Sequence, residues 1–154
     1  MNLKSKAMLI VLVLLVAVLV AGLYSGITVA LISPVLAYFL GIAPQILTVP
    51  AIMVGNTVYV MLLYFIAGTD SKKIVRQIVA WICAAAAKFA ALYAIVVWLI
   101  CGVFSKGLLA SGALKPPMLK MLPATFSWPQ LVTALIGGAV ALLIVPVLRK
   151  ALRK

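Results

Sequence analysis

The chain has 154 residues, of which 68% are hydrophobic and only 9% are charged. Soluble domains are nearer half apolar and a quarter charged, so this composition excludes a soluble globular protein and predicts a surface that faces membrane lipid. The formal net charge is +12, with thirteen Lys and Arg against one acid, Asp70. Because the basic residues flank the apolar runs instead of forming a soluble face, they indicate membrane topology and not nucleic-acid binding.

The N-terminal segment begins with the basic residues of MNLKSK and continues into an apolar run. This order imitates a secretory signal peptide, but the apolar character continues past Gly22, so we interpret the run as a retained first helix. The apolar run over 7–42 also contains Gly26 and Pro34. Its 36 residues predict two or more helices.

Three further apolar runs cover 49–68, 74–104 and 127–148. Each reaches the about 20 residues that a helix needs to cross a hydrocarbon core about 30 Å thick. The whole chain, 1–154, is therefore predicted to be one transmembrane domain of the all-α integral membrane class. We expect a compact bundle of four to six transmembrane helices, because the first run leaves its own number of helices open.

The distribution of basic residues predicts the orientation of the bundle. An even number of crossings places the N-terminus, the 69–76 loop and the C-terminal tail on one side, with nine basic residues against three on the other. The positive-inside rule favours this arrangement, so both termini are predicted to be cytoplasmic. The connections 43–48 and 105–125 then lie outside, where two irregular loops are expected to close over a cavity.

Redox, metal and enzymatic chemistry find little support in the sequence. Cys83 and Cys101 are eighteen residues apart in one apolar run, a separation of roughly 27 Å along a helix that forbids an intramolecular disulfide. With no His and no cluster of carboxylates or cysteines, we predict neither a metal site nor a cofactor. The sequence contains no evident acid–base pair and no nucleophile beside a base, so it does not indicate an enzyme.

Lys88 is the most informative polar residue, because it lies twelve residues beyond Arg76, or roughly 18 Å along a helix. A cation at that depth costs at least about 2.5–3.5 kcal/mol to insert, and the apolar runs contain no acid to pair with it. One interpretation is contact with an anionic or carbonyl-bearing ligand. The alternatives are a bond to Asn56 or helix-end carbonyls, a lysine kept neutral by desolvation, or an acid of a partner protein.

Asn56 is the second polar group at similar depth, near the centre of the 49–68 run. Tyr59 shares its helical face by three-residue spacing. The amide needs hydrogen-bond partners in hydrocarbon, and either a ligand or a neighbouring helix can supply them. Without membrane carboxylates or a Walker motif, an ion-coupled or self-powered transporter is disfavoured.

Small residues at four-residue spacing recur in three stripes that allow close helix packing in lipid. The stripes are Ala17, Ala21 and Ser25; Gly22, Gly26 and Ala30; and Thr133, Gly137 and Ala141. Internal packing explains all three. The first stripe is alternatively a docking surface for a partner subunit.

Four segments resemble the substrate-binding S components of energy-coupling factor (ECF) transporters. They read GLYSGITVALISPVLAYFLGIAP, PAIMVGNTVYV, AKFAALYAIV and FSWPQLVTALIGGAVALLIVPVLRKA. The resemblance begins near Ala21 and continues to the C-terminus. It implies a mostly six-helix subunit of a bacterial cytoplasmic membrane, which binds a vitamin or similar solute from outside.

The resemblance also implies the partners, a transmembrane T component and two ATPases. S components commonly dock the T component through small residues on the first helix, which Ala17 and Ala21 match. We therefore predict a solute-capture subunit in which Asn56 and Lys88 orient the ligand while Tyr59 and Trp81 lend aromatic surface. The competing hypothesis is a structural or assembly subunit without its own ligand.

Overall fold

The computed structural model describes residues 3–41, 45–67 and 74–152, and every regular element within these ranges is a helix. The helices are α1 (Leu3–Ala21), α2 (Leu23–Phe39), a 3-10 turn (Ile46–Thr48), α3 (Val49–Ala67), α4 (Ile74–Leu92), a π-helix (Tyr93–Val103), α5 (Ser105–Ala110), α6 (Met118–Thr125) and α7 (Trp128–Leu152). The predicted all-α class is confirmed. Asp70 and most of the 69–76 loop lie outside the described residues.

Three helical segments in the described part of the chain are long and apolar enough to cross a membrane. They are Ile46–Ala67, Ile74–Val103 and Met118–Leu148, while Met8–Ala21 and Leu23–Phe39 are apolar but shorter. Many large apolar side chains on the outside of the bundle are exposed, among them Leu143 and Val147 of α7. The number of crossings and the side of each terminus remain predictions.

The first apolar run is divided at Gly22, between α1 and α2. Gly22 has a φ of 90°, a left-handed value that glycine adopts without the steric cost of a Cβ. Gly26 has a different use, because a Cβ built there would lie 2.8 Å from Val60 Cγ1 of α3. One glycine therefore breaks the helix and the other brings α2 close to α3.

Helices α3, α4 and α7 pack antiparallel to their neighbours in this order. A Cβ at Gly55 would lie 2.9 Å from Leu92 Cγ, and further along α3 the ring of Tyr59 meets Lys88. Two contacts show that α7 runs antiparallel to α4. Near the start of α4, Trp81 contacts Ala134 of α7. The rings of Phe89 and Trp128 meet nearer the start of α7, with centroids 6.1 Å apart.

Two apolar clusters make up the core. The larger combines buried residues of α1, α2, α3, α4 and α7. The smaller lies where α3 begins and α4 ends, and contains Leu92, Leu114, Leu122 and Phe126. We call residues 105–126 the cap. The cap contains two short helices, α5 and α6, where the sequence predicted an irregular loop. Three of the four side chains, Leu114, Leu122 and Phe126, belong to the cap and are buried.

Candidate functional site

The side chains of Tyr59 on α3 and Lys88 on α4 meet in the interior, and together with the buried Asn56 of α3 we call them the polar cluster. Asn56 and Tyr59 lie one helical turn apart and have no solvent-exposed surface, and Lys88 is 3% exposed. The Nζ atom of Lys88 lies 5.7 Å from the centroid of the Tyr59 ring, within the range of a cation–π interaction. The antiparallel register of α3 and α4 thus joins residues that are far apart in sequence.

The polar cluster has unused hydrogen-bonding capacity. Both amide atoms of Asn56 and the hydroxyl of Tyr59 are buried without a hydrogen-bond partner. A buried polar group left unpaired costs about 1–3 kcal/mol, and buried polar groups of native proteins are usually satisfied. Helix packing therefore leaves these three buried atoms without the hydrogen bonds that they can make.

The charge of Lys88 is also uncompensated by any acid in the helices. The one acidic side chain of the chain, Asp70, lies eighteen residues before Lys88, in the 68–73 segment that the structure does not describe. An intramembrane lysine without a carboxylate partner is tolerated when carbonyl oxygens or another negative charge face it, or when it is neutral. The polar cluster thus combines one basic side chain with two neutral polar side chains and contains no acid.

Trp81 lies apart from the polar cluster, in the contact between α4 and α7. It precedes Lys88 by seven residues, about 10 Å of helix. Its indole Nε1 donates to the carbonyl oxygen of Ala134 at 3.2 Å, and the ring packs directly on Gly138. The structure thus brings Tyr59 and Lys88 together, leaves Asn56 buried one helical turn before Tyr59, and assigns the indole of Trp81 to interhelical packing.

Gly55 and Leu92 border the polar cluster, although neither was predicted from the sequence. Leu92 is fully buried one turn beyond Lys88, and it packs against Gly55, the neighbour of Asn56. A glycine next to an asparagine inside an apolar run was the available signal. Its packing partner on α4 could not be identified without the register of the two helices.

The three small-residue stripes differ in exposure. Gly26 and Ala30 are buried, as are the α7 residues Thr133, Gly137 and Ala141. In contrast, Ala17 is half-buried and Ala21 exposed at the end of α1. Ser25 belongs to α2, beyond the break at Gly22, and its hydroxyl donates to the carbonyl oxygen of Ala21 at 3.4 Å.

Among the described residues, no three His, Cys, Asp or Glu side chains lie together as a metal site would require. The family model of the ECF transporter substrate-specific component matches residues 1–149 of the chain. The chain belongs to this family. No curated protein and no solved structure was found to match significantly.

As an ECF substrate-specific component, or S component, the protein is a part of a transporter and not an enzyme. Members of this family bind small solutes and work with a T component and ATPases. Its apolar helices and family membership identify it as a multi-pass membrane protein. The polar cluster is accordingly a candidate solute site and not a catalytic centre.

Proposed function

We propose that this S component captures a small anionic or carbonyl-bearing solute, a vitamin or a similar compound, at the polar cluster formed by Asn56, Tyr59 and Lys88. The observation that carries the proposal is the combination of three unpartnered polar atoms with a buried lysine that no helical acid neutralises. A solute that bonds these groups removes their desolvation cost and gains binding free energy from the same contacts.

Each side chain has a defined chemical role in the proposed complex. Asn56 offers both a donor and an acceptor, so it suits an amide, a ring nitrogen beside a carbonyl, or a hydroxyl. Lys88 supplies a positive charge to a carboxylate, phosphate or carbonyl oxygen. Tyr59 contributes a hydroxyl and a ring face against which Lys88 already lies.

The proposed direction of transport is inward across a bacterial cytoplasmic membrane. The antiparallel order of α3, α4 and α7 supports a common side for the end of α3, the start of α4 and the end of α7. The basic residues near those positions support a cytoplasmic location for that side and for both termini. The cap then faces the exterior, where solute enters.

Delivery of the solute is proposed to require a T component and two ATPases. Ala17 and Ala21 support a docking surface on α1, because they are small and incompletely buried, whereas the stripes on α2 and α7 are already used within the bundle. Ser25 extends the surface across the break at Gly22 onto α2. A partner helix can approach closely over such residues.

The decisive experiment is to purify the full chain in mild detergent and to identify co-purifying small molecules by mass spectrometry. The identified solute is then titrated calorimetrically into the wild type, Lys88→Met and, as control, Leu143→Ala, a change on an exposed position of α7. Removing a charged hydrogen-bond partner is expected to weaken binding roughly ten- to a hundredfold. The control should bind normally.

Two outcomes would contradict this proposal in part or as a whole. Unchanged binding by Lys88→Met would remove Lys88 from the site. Failure to recover any solute, together with Lys88-dependent association with other membrane subunits, would favour the structural or assembly role instead.

A further inference from the structure

We propose that Leu92, seated on Gly55, is the gate through which solute reaches the polar cluster, and that the opposite end, closed by Trp81, stays shut during entry. The inference rests on the proposed function, since it treats the polar cluster as a solute site. It is carried by the position and the different chemistry of the two closures.

Both closures lie on one stripe of α4. Seven residues separate Trp81 from Lys88, and four separate Lys88 from Leu92. The three side chains therefore lie on the same face of the helix. Lys88 therefore has a large side chain on each side along the helix. A solute that travels along this interior face to Lys88 must pass one or the other.

The closure at Leu92 is apolar and depends on a missing side chain. A Cβ at Gly55 would lie 2.9 Å from Leu92 Cγ and 3.1 Å from Leu92 Cδ2. Leu92 therefore lies directly on the helix surface that the glycine leaves bare, and this side chain cannot hydrogen-bond. Moving it breaks apolar contacts and no hydrogen bond, and it uncovers Gly55, the residue next to Asn56.

The closure at Trp81 is held more firmly. Its indole packs on Gly138 of α7 and donates to the carbonyl oxygen of Ala134 at 3.2 Å. Displacing Trp81 would break this bond and remove a large, partly buried aromatic surface from its contact. The two closures are thus unequal, and Leu92 is the easier one to open.

The surroundings of Leu92 lead towards the cap. Leu92 belongs to the same apolar cluster as Leu114, Leu122 and Phe126 of the cap. Leu92 therefore lies between the polar cluster and the buried cap side chains, at the end of the bundle that the proposed orientation places outside. Entry follows a route lined by apolar side chains before the solute meets its polar partners.

Access can be measured without knowing the solute. The test uses full-length protein with Cys83→Ala and Cys101→Ala, which remove the two free cysteines, and Asn56→Cys as the reporter. The probe is 2-sulfonatoethyl methanethiosulfonate, a small anion that forms a disulfide with the cysteine thiol and releases methanesulfinate. Its rate of attachment, followed by mass spectrometry of the intact protein, reports how often the polar cluster opens.

The variant Leu92→Ala is expected to raise the rate of modification at least about tenfold, which corresponds to about 1.4 kcal/mol in the free energy of opening. Leu143→Ala removes the same atoms from an exposed position and should leave the rate unchanged. If Leu92→Ala fails to fold, Gly55→Ala replaces it, because the added Cβ forces the Leu92 side chain away from the helix.

Trp81→Phe decides whether access is one-sided. This change removes the indole N–H and is expected to leave the rate near that of the parent. An unchanged rate in Leu92→Ala, or an equal acceleration in Trp81→Phe, would overturn the gate. Because no solute takes part, loss of the gate and failure of the solute-binding proposal are separate results.

Discussion

Replacing Asn56 with leucine should stabilise the solute-free protein while weakening its binding of solute. Both amide atoms of Asn56 are buried without partners, and the residue has no exposed surface. Leucine has nearly the same branched shape without polar atoms, so the change removes an unpaired group instead of breaking a bond. We expect the free energy of unfolding to rise by about 1–3 kcal/mol.

The assay is unfolding in dodecyl maltoside micelles with increasing sodium dodecyl sulfate, followed by circular dichroism and tryptophan fluorescence. Thr133→Val is the matched control of opposite sign, because the Thr133 hydroxyl donates to the carbonyl oxygen of Gln130 at 3.1 Å. Its loss should cost about 0.5–1.5 kcal/mol. The same Asn56→Leu protein should bind the identified solute at least about tenfold more weakly, since one solute contact is gone.

A destabilised Asn56→Leu protein would refute this reasoning. A loss of about 1 kcal/mol or more would mean that the amide makes a stabilising interhelical hydrogen bond, the structural alternative for this residue. Increased stability with unchanged solute binding would leave the packing argument intact but remove Asn56 from the site.

Three further substitutions test packing and docking. Gly138→Ala adds a Cβ against the indole of Trp81 and should cost about 1–3 kcal/mol of stability in the same unfolding assay, because the ring must shift. Gly26→Ala should also cost about 1–3 kcal/mol of stability, because its Cβ would lie 2.8 Å from a valine of α3. Ala21→Leu, on an exposed position, should leave unfolding unchanged but reduce co-purification of the T component and ATPases.

The chain offers controls for these substitutions. A Cβ at Gly107 meets no atom within 4 Å, so Gly107→Ala should change stability by no more than about 0.5 kcal/mol. Ala86→Leu places the same bulk on an exposed position of α4 and should retain the partners. Equal effects in a test variant and its control would show that the local contact is not responsible.

Much of the fold can be predicted from the sequence because long apolar runs have few structural solutions in lipid. The sequence predicted apolar runs over 49–68 and 74–104. The structure has α3 over Val49–Ala67, and α4 with the π-helix over Ile74–Val103. The first run was ambiguous because Gly22 and Gly26 look alike in sequence. Only their backbone and packing distinguish a helix break from a close helix contact.

The candidate site can likewise be predicted only in part from the sequence. Lys88 and Asn56 can be recognised from sequence, since a polar residue inside an apolar run is expensive wherever its helix packs. Which residues meet depends on the register between helices, and no local pattern encodes it. Trp81 illustrates the difference, because its place in the 74–104 run can be read from the sequence but its glycine partner on α7 cannot.

The unequal lengths of the helices have a consequence for the surrounding lipid. The apolar part of α1, Met8–Ala21, and the 17 residues of α2 correspond to about 21 and 25 Å, each less than a hydrocarbon core of about 30 Å. Lipid beside these helices must thin, or the helices must share the crossing, and each ångström of mismatch costs a fraction of a kcal/mol. Bilayer thickness is therefore a variable that acts on the orientation of this protein independently of solute and partners.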